Sequence, residues 1–236
     1  MIDAVVWHDL ECGAYTADLP LWRELATAEP GPILDVGAGT GRVALDLAAG
    51  GHAVTALDSD PDLLRALTAR AGGAVRTVLA DAQAFALPGE SFGLILVPMQ
   101  TIQLLADRPA FLRAARRHLV AGGLLAAALA DALEGFDAST AILPPPDVSE
   151  HDGWRFASQP VAVRERADAS TIERIRTTLA PDGARTAEPD AIDLRHVTAG
   201  TLAAEAGPLG YRADPPRRIE ATQEHVGSEV VLLRAA

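Results

Sequence analysis

The residues best suited to hold a ligand in this 236-residue chain are Gly37, Gly39 and Gly41, in the run Ile33-Leu34-Asp35-Val36-Gly37-Ala38-Gly39-Thr40-Gly41-Arg42. An apolar stretch, three glycines at alternate positions and a helix start read as strand, tight turn and helix. Glycine adopts backbone angles that other residues avoid and lets a ligand come close to the chain. The helix N-terminus that follows presents unpaired N–H groups. The chemistry expected is the holding of a nucleotide-like small molecule. The spacing speaks against two ligand classes. A dinucleotide turn needs G-x-G-x-x-G, and Arg42 stands where its third glycine belongs. A phosphate loop needs G-x-x-x-x-G-K-[ST], and the chain has no lysine.

Two acids follow at useful places. Ala53 to Leu57 is a short apolar run ending at Asp58. An acid at the end of the second strand of a βαβ unit is placed to accept hydrogen bonds from ribose hydroxyls. Val75 to Leu79 reads as a third strand and leads into Ala80-Asp81-Ala82. The D-x-G-x-G-x-G run resembles motif I of the class I S-adenosylmethionine (SAM) methyltransferases. The likeness continues through Leu87-Pro88-Gly89-Glu90-Ser91-Phe92, which is similar to that family's "LPF-x-D-x-SFD" approach to the fourth strand, with Gly93 where an acid is usual. It reaches Ala121-Gly122-Gly123, similar to an "L-x-PGG" turn with Ala121 replacing proline. It covers residues 30–130 well and the rest loosely.

The resemblance implies an α/β fold: a Rossmann-like, doubly wound, seven-stranded, mostly parallel sheet with strand order 3-2-1-4-5-7-6. It implies SAM as cofactor and S-adenosylhomocysteine as product. Cofactor contacts carry over to Asp35, Gly37, Ala38, Gly39, Gly41, Asp58, Ser59 and the turn Val97-Pro98-Met99. Asp81 would read the adenine amino group, and the Ala82 N–H would meet the ring. Many small-molecule members have an aromatic-rich N-terminal segment, so Trp7 and Tyr15 are expected to cap the methionine end.

These residues need a scaffold. Residues 18–28 read as an amphipathic helix with Leu21, Trp22 and Leu25 on one side. Ser59 is the expected N-cap of a helix with Pro61 in its first turn. Phe92 to Val97 is the fourth strand, Arg113 to Leu119 a helix, and Leu124 to Leu129 the fifth strand. Pro144-Pro145-Pro146 is a stiff spacer. Alternating runs at Trp154–Arg164 and Ser170–Leu179, with a turn at Pro181-Asp182-Gly183, read as an added antiparallel β segment. A helix over Thr198–Ala206 and strands at Tyr211–Glu220 and Glu229–Leu233 complete the sheet. The chain is expected to be one domain, with an N-terminal cap arm and helix at 1–30 and a substrate-side insertion at 131–181, where loops usually carry specificity. In such a sheet, ligands sit beyond the carboxyl ends of the strands.

Composition sets limits. The net charge is −12 and the pI about 4.8, which argues against a nucleic-acid substrate, because phosphate contacts need a basic face. An N/D-P-P-Y motif, common where base or glutamine nitrogens are methylated, is replaced by Val97-Pro98-Met99-Gln100. One cysteine, Cys12, excludes an internal disulfide and a cysteine zinc cluster. No apolar run approaches the roughly 18 residues of a membrane span, and no signal-peptide pattern opens the chain, so a cytoplasmic location is expected. The partners expected are a small-molecule acceptor and at most a second copy of the chain, with no nucleic acid, membrane or metal.

Methyl transfer from a sulfonium needs a base only when the nucleophile arrives protonated. His225 is the first candidate, because the start of the seventh strand falls at the carboxyl edge. His151, in the insertion, is second. Gln100, with Gln103, is placed to hydrogen-bond the acceptor or the cofactor. His52 and His118 read as structural. The reading is a methyltransferase acting on an O or N nucleophile of a small molecule. A SAM-binding protein without transferase activity stays open beside it. A nucleotide-dependent oxidoreductase and an rRNA or protein methyltransferase are weaker alternatives.

Overall fold

Strands buried on both faces must be covered by helices on both sides, and β1 and β4 are buried along their whole lengths. The computed structural model describes residues 4–130, 133–139, 142–222 and 225–236. Residues 1–3 of the expected arm, and 131–132 and 140–141 of the expected insertion, lie outside the described residues. The chain runs α1 (Ala4–Cys12), α2 (Leu19–Ala28), β1 (Ile33–Val36), α3 (Arg42–Ala49), β2 (Val54–Asp58), α4 (Pro61–Ala71), β3 (Val75–Leu79), β4 (Phe92–Val97), α5 (Thr101–Leu104), α6 (Arg108–His118) and β5 (Leu119–Ala130). It continues through β6 (Phe136–Asp137), β7 (Asp147–His151), β8 (Trp154–Glu165), β9 (Ala169–Leu179), β10 (Arg185–Arg195), α7 (Ala199–Ala206), β11 (Tyr211–Ile219) and β12 (Ser228–Ala235). Two compact units result, Tyr15–Asp131 with Val197–Ala236, and Met1–Ala14 with Ala132–His196.

The larger unit holds a seven-stranded sheet in the order β11-β12-β5-β4-β1-β2-β3. Strands β1 to β5 are parallel, while β12 runs antiparallel to β5 and β11 antiparallel to β12. This is the expected order. Side chains alternate between two cores. Ile33, Leu94 and Leu96 join Trp22 and Leu25 of α2, Val43 and Leu47 of α3, and Leu64 and Leu67 of α4. Leu34, Val36, Ile95 and Val97 join Ile102 of α5, Phe111 and Leu112 of α6, and Leu202 of α7 on the opposite face.

Several boundaries differ from the expected ones, three of them near the site. Asp60, not Ser59, caps α4, and its carboxylate accepts from the Asp62 and Leu63 N–H groups at 2.8 and 3.2 Å. Helix α6 begins five residues earlier than expected, because Asp107 caps it through the Ala110 N–H at 2.8 Å. Strand β5 starts at Leu119, ahead of the glycine pair, and its register against β4 shifts between Phe92 and Leu94.

In the smaller unit, β8, β9 and β10 pair antiparallel in succession, with β6 and β7 both on β8. The expected 181–183 turn joins β9 to β10, with Gly183 at φ 87°. Helix α1 is anchored in this unit by Glu11, whose carboxylate takes two bonds from Arg176, at 2.8 and 2.7 Å, and one from the Ser158 hydroxyl at 2.7 Å. These donors hold the Glu11 carboxyl below its ordinary value, although burial pushes the other way. Among the described residues, no helix is long and apolar enough to cross a membrane.

Candidate functional site

The glycine turn lies between β1 and α3, at the carboxyl end of β1. Gly37, Gly39 and Gly41 all take positive φ, at 72°, 54° and 100°. At Gly37 space is also short. A Cβ there would stand 2.5 Å from Cγ2 of Thr101 on α5. A Cβ on Gly41 would meet Leu67 at 2.8 Å. The turn's amides are spent inside the protein. Gly37 and Ala38 both donate to the Leu57 carbonyl at 2.8 and 3.1 Å, and Gly41 donates to Ala38 at 2.9 Å. The Gly39 N–H donates to Oδ2 of Asp58 at 2.7 Å. The glycines therefore serve close approach and shape rather than amide donation to a ligand.

Asp58 ends β2 as expected. One oxygen accepts from Gly39 and the other from the Asp60 N–H at 2.9 Å. A carboxylate has about four acceptor sites, so two remain for hydroxyl donors. Ser59 is exposed beside it. Asp81 lies beyond β3 and is exposed, with Oδ1 accepting the Gln83 N–H at 2.8 Å. Ala82 follows in the same turn, and the Ala84 N–H closes that turn on the Asp81 carbonyl at 3.0 Å.

Asp35 is buried in β1, at 1% exposure, and among the described residues neither carboxylate oxygen has a hydrogen bond of full geometry. Burial raises its carboxyl to about 7, against the opposing pull of the Arg42 charge and a weak contact from the Ala44 amide. Arg42 is committed elsewhere. It makes a two-pronged ion pair with Asp18, at 2.6 and 2.7 Å, and donates to the Tyr15 carbonyl at 2.8 Å. The Trp22 indole N–H closes the network on Asp18 at 2.7 Å. The Tyr15 ring lies 5.2 Å from the Arg42 guanidinium and 4.9 Å from the His225 ring. Among the described residues its hydroxyl is buried with no hydrogen bond of full geometry, only a weak contact with the Ser228 side chain, and burial is the main cause that raises it above the ordinary tyrosine value.

The same edge carries the turn after β4. Pro98 is buried, and Met99 has φ 53°, a strained angle for a residue with a side chain. Such angles cost on the order of 1–3 kcal/mol and persist where the surroundings impose them. Gln100 caps α5, with no hydrogen bond to its side chain among the described residues. Gln103 is used structurally, since its Oε1 accepts the Ala130 N–H at 2.7 Å. His225 precedes β12, whose first residue Ser228 pairs with Ala130 at the carboxyl end of β5. Its N–H donates to the Thr222 hydroxyl at 2.9 Å.

The larger unit thus gathers Asp35, the glycine turn, Asp58, Asp81, Val97–Gln100, Tyr15 and His225 along the carboxyl ends of its strands. Two expected residues belong to the smaller unit. Trp7 packs edge-on against Phe156 at 5.7 Å and lies 5.5 Å from the Arg176 guanidinium. His151 is exposed at the β7–β8 turn, 3.1 Å from Asp152. His118 is structural, as expected: buried in α6, it bonds backbone through both ring nitrogens. Thr101, the left-handed angle of Met99 and the Arg42–Asp18 pair escaped the sequence reading. The run Val97-Pro98-Met99 holds no glycine to signal a left-handed angle. Among the described residues, no group of three His, Cys, Asp or Glu is placed to hold a metal ion.

Residues 33–123 match the family described as a methyltransferase domain. A search of the curated proteins finds no significant match. Among solved structures, the chain resembles DesVI of Streptomyces venezuelae, at 18% identity and TM-score 0.73, with 98% of each chain covered. It also resembles SAM-bound CalS10, an amino pentose methyltransferase from Micromonospora echinaspora, at 18% identity and TM-score 0.72, covering 100% of this chain and 98% of that one. The sugar N-methyltransferase KedS8 from Streptoalloteichus is similar at 21% identity and TM-score 0.72, over 98% and 91% of the two chains. At these identities the structural likeness establishes the fold, and residues 33–123 are the part of the chain that matches a methyltransferase domain.

Proposed function

We propose that the protein transfers the methyl group of SAM to an O or N nucleophile of a small molecule, in a bacterial cytoplasm. One observation carries the reading. Among the described residues, the buried carboxylate of Asp35 and the buried hydroxyl of Tyr15 make no hydrogen bond of full geometry, only weak contacts with the Ala44 amide and the Ser228 side chain. An orphaned buried polar group costs about 1–3 kcal/mol, so both are held for something that binds. A carboxylate acceptor suits an ammonium group and a hydroxyl donor suits a carboxylate, the two ends of an amino-acid moiety such as the methionine part of SAM. The free acceptor sites of Asp58 suit the ribose, and Asp81 with Ala82 suits the adenine.

SAM supplies a methyl group already activated on sulfur. The protein's work is to align the acceptor with it and keep water out, and good alignment alone supplies on the order of 7–11 kcal/mol. For an acceptor that arrives protonated, His225 is the base we propose, with Gln100 hydrogen-bonding the acceptor and His151 as second choice. Residues 131–181 are the segment proposed to select the acceptor. The amino-sugar and sugar-nitrogen substrates named for two of the similar structures favour an amine as nucleophile. Isothermal titration with SAM and S-adenosylhomocysteine tests the reading, and transfer of a labelled methyl to a panel of small amines and alcohols extends it. A folded protein that binds neither ligand overturns it.

A further inference from the structure

Helix α6 grips the segment between β3 and β4 at two points. At its start, the Asp107 N–H donates to Oε1 of Gln83 at 2.6 Å. Gln83 turns its other groups on Asp81. Its backbone N–H donates to Oδ1 at 2.8 Å, and its Nε2 reaches the two carboxylate oxygens at 3.3 and 3.5 Å. At the helix end, the Leu87 N–H donates to Nε2 of His118 at 3.2 Å. That bond puts the ring proton on Nδ1, which donates to the Glu90 carbonyl at 3.1 Å. The ring also stacks on buried Phe85, with centroids 5.2 Å apart and 23° between planes. Glu90 is tied to Arg76 of β3 by an ion pair.

This bracket does more than close a loop. The turn at 81–84 already has its own backbone bond, from the Ala84 N–H to the Asp81 carbonyl. What Gln83 adds is a fixed orientation of the Asp81 carboxylate, since both its donors meet that group while its acceptor is anchored on α6. What His118 adds is a fixed position for the stretch from Phe85 to Glu90. We propose that Gln83 and His118 are positioning residues for the adenine end of the cofactor: they aim Asp81 and Ala82 from the rigid frame of α6. The proposal rests on the reading that Asp81 meets adenine.

The test is isothermal titration of SAM, and of adenosine as a probe without a methionine end, against Asp81→Ala, Gln83→Leu, Gln83→Glu, His118→Leu and His118→Gln. Asp81→Ala checks the underlying reading. Gln83→Leu removes the side-chain bonds, and SAM should bind about 3- to 10-fold more weakly, the range of one neutral hydrogen bond. Gln83→Glu keeps the acceptor for Asp107 but sets a second carboxylate beside Asp81, so its loss should be at least as large. Both losses should appear in full with adenosine. Melting temperatures of the Gln83 variants should stay within about 2 °C of the parent, as for other substitutions outside the core. His118→Gln, which can still accept the Leu87 N–H, should recover part of the affinity lost in His118→Leu. If Asp81→Ala weakens binding and both Gln83 variants bind as the parent does, the positioning role is wrong. If Asp81→Ala binds SAM normally, the adenine reading fails and the proposal falls with it.

Discussion

Replacing Asp35 by asparagine should change how the stability of the protein depends on pH. In the folded chain the Asp35 carboxyl sits near 7, raised from 3.8 mainly by burial. Below about pH 4 the group is protonated whether the chain is folded or not, and burial costs no charge. Between pH 4 and pH 7 the unfolded chain loses the proton while the folded chain keeps it. Stability must then fall by about 1.4 kcal/mol for each pH unit. Above pH 7 both states are ionised and the loss levels off, at about 4 kcal/mol for the full shift. Asparagine cannot ionise, so Asp35→Asn lacks this slope. It has a constant cost of its own, because its amide gains buried donors, but that cost cancels when two pH values are compared. From pH 5 to pH 8 the variant should gain about 2–3 kcal/mol relative to the parent. For a chain of this size that corresponds to a relative rise in melting temperature of roughly 4–12 °C. Thermal melts of both proteins, without ligand, at pH 5, 6, 7 and 8 give the result directly. Parallel curves would show that Asp35 is ionised in the fold throughout, and that its isolation from partners is mistaken. The same logic bears on the cofactor. A ligand that needs the carboxylate form must displace a proton below pH 7, so SAM affinity should fall toward acid pH in the parent.

Other substitutions probe the site and its frame separately. Asp58→Ala should weaken SAM binding by about 1.5–3 kcal/mol, the scale of hydrogen bonds to a charged group, and titration calorimetry reads it; unchanged affinity would remove the ribose assignment. Asp18→Asn breaks the buried pair with Arg42, whose side chains are 1% and 11% exposed. It should cost about 3–5 kcal/mol of stability in denaturant melts, and a loss under 1 kcal/mol would show the pair to be replaceable. Gly37→Ala places a methyl against Thr101 at an angle that suits glycine, so it should abolish SAM binding at concentrations that saturate the parent. Gly93→Ala should destabilise by about 1–3 kcal/mol or more through overpacking, because its Cβ would collide with the Pro30 carbonyl.

The sequence made the sheet legible because its signals are local. β4 is a continuous apolar run and β1 is apolar but for Asp35, the glycines mark the turn, Asp58 ends β2 and Asp81 follows β3, so type and order suffice to place them. The smaller unit was half legible for a converse reason. β8 and β9 alternate and were read, but β10 carries Glu188, Pro189, Asp190 and Asp193 on an outer edge and is exposed along most of its length. Only its pairing with β9 makes it a strand. Helix α1 carries its apolar residues Ala4 to Trp7 side by side rather than at helical spacing, and its anchor, Arg176, lies 165 residues away. Within the site, what went unread depends on partners that spacing cannot reveal. Arg42 looked like a departure from a dinucleotide turn. In the fold it is the cation that neutralises Asp18, holds the Tyr15 carbonyl and lies beside the Tyr15 ring. Gly93 looked like the loss of a family acid. In the fold β4 passes so close to Pro30 that no side chain fits, and the Gly93 N–H bonds the Pro32 carbonyl at 3.0 Å. Both departures follow from how this chain approaches its own first strand. An acid restored at position 93 should therefore weaken the fold rather than improve the site.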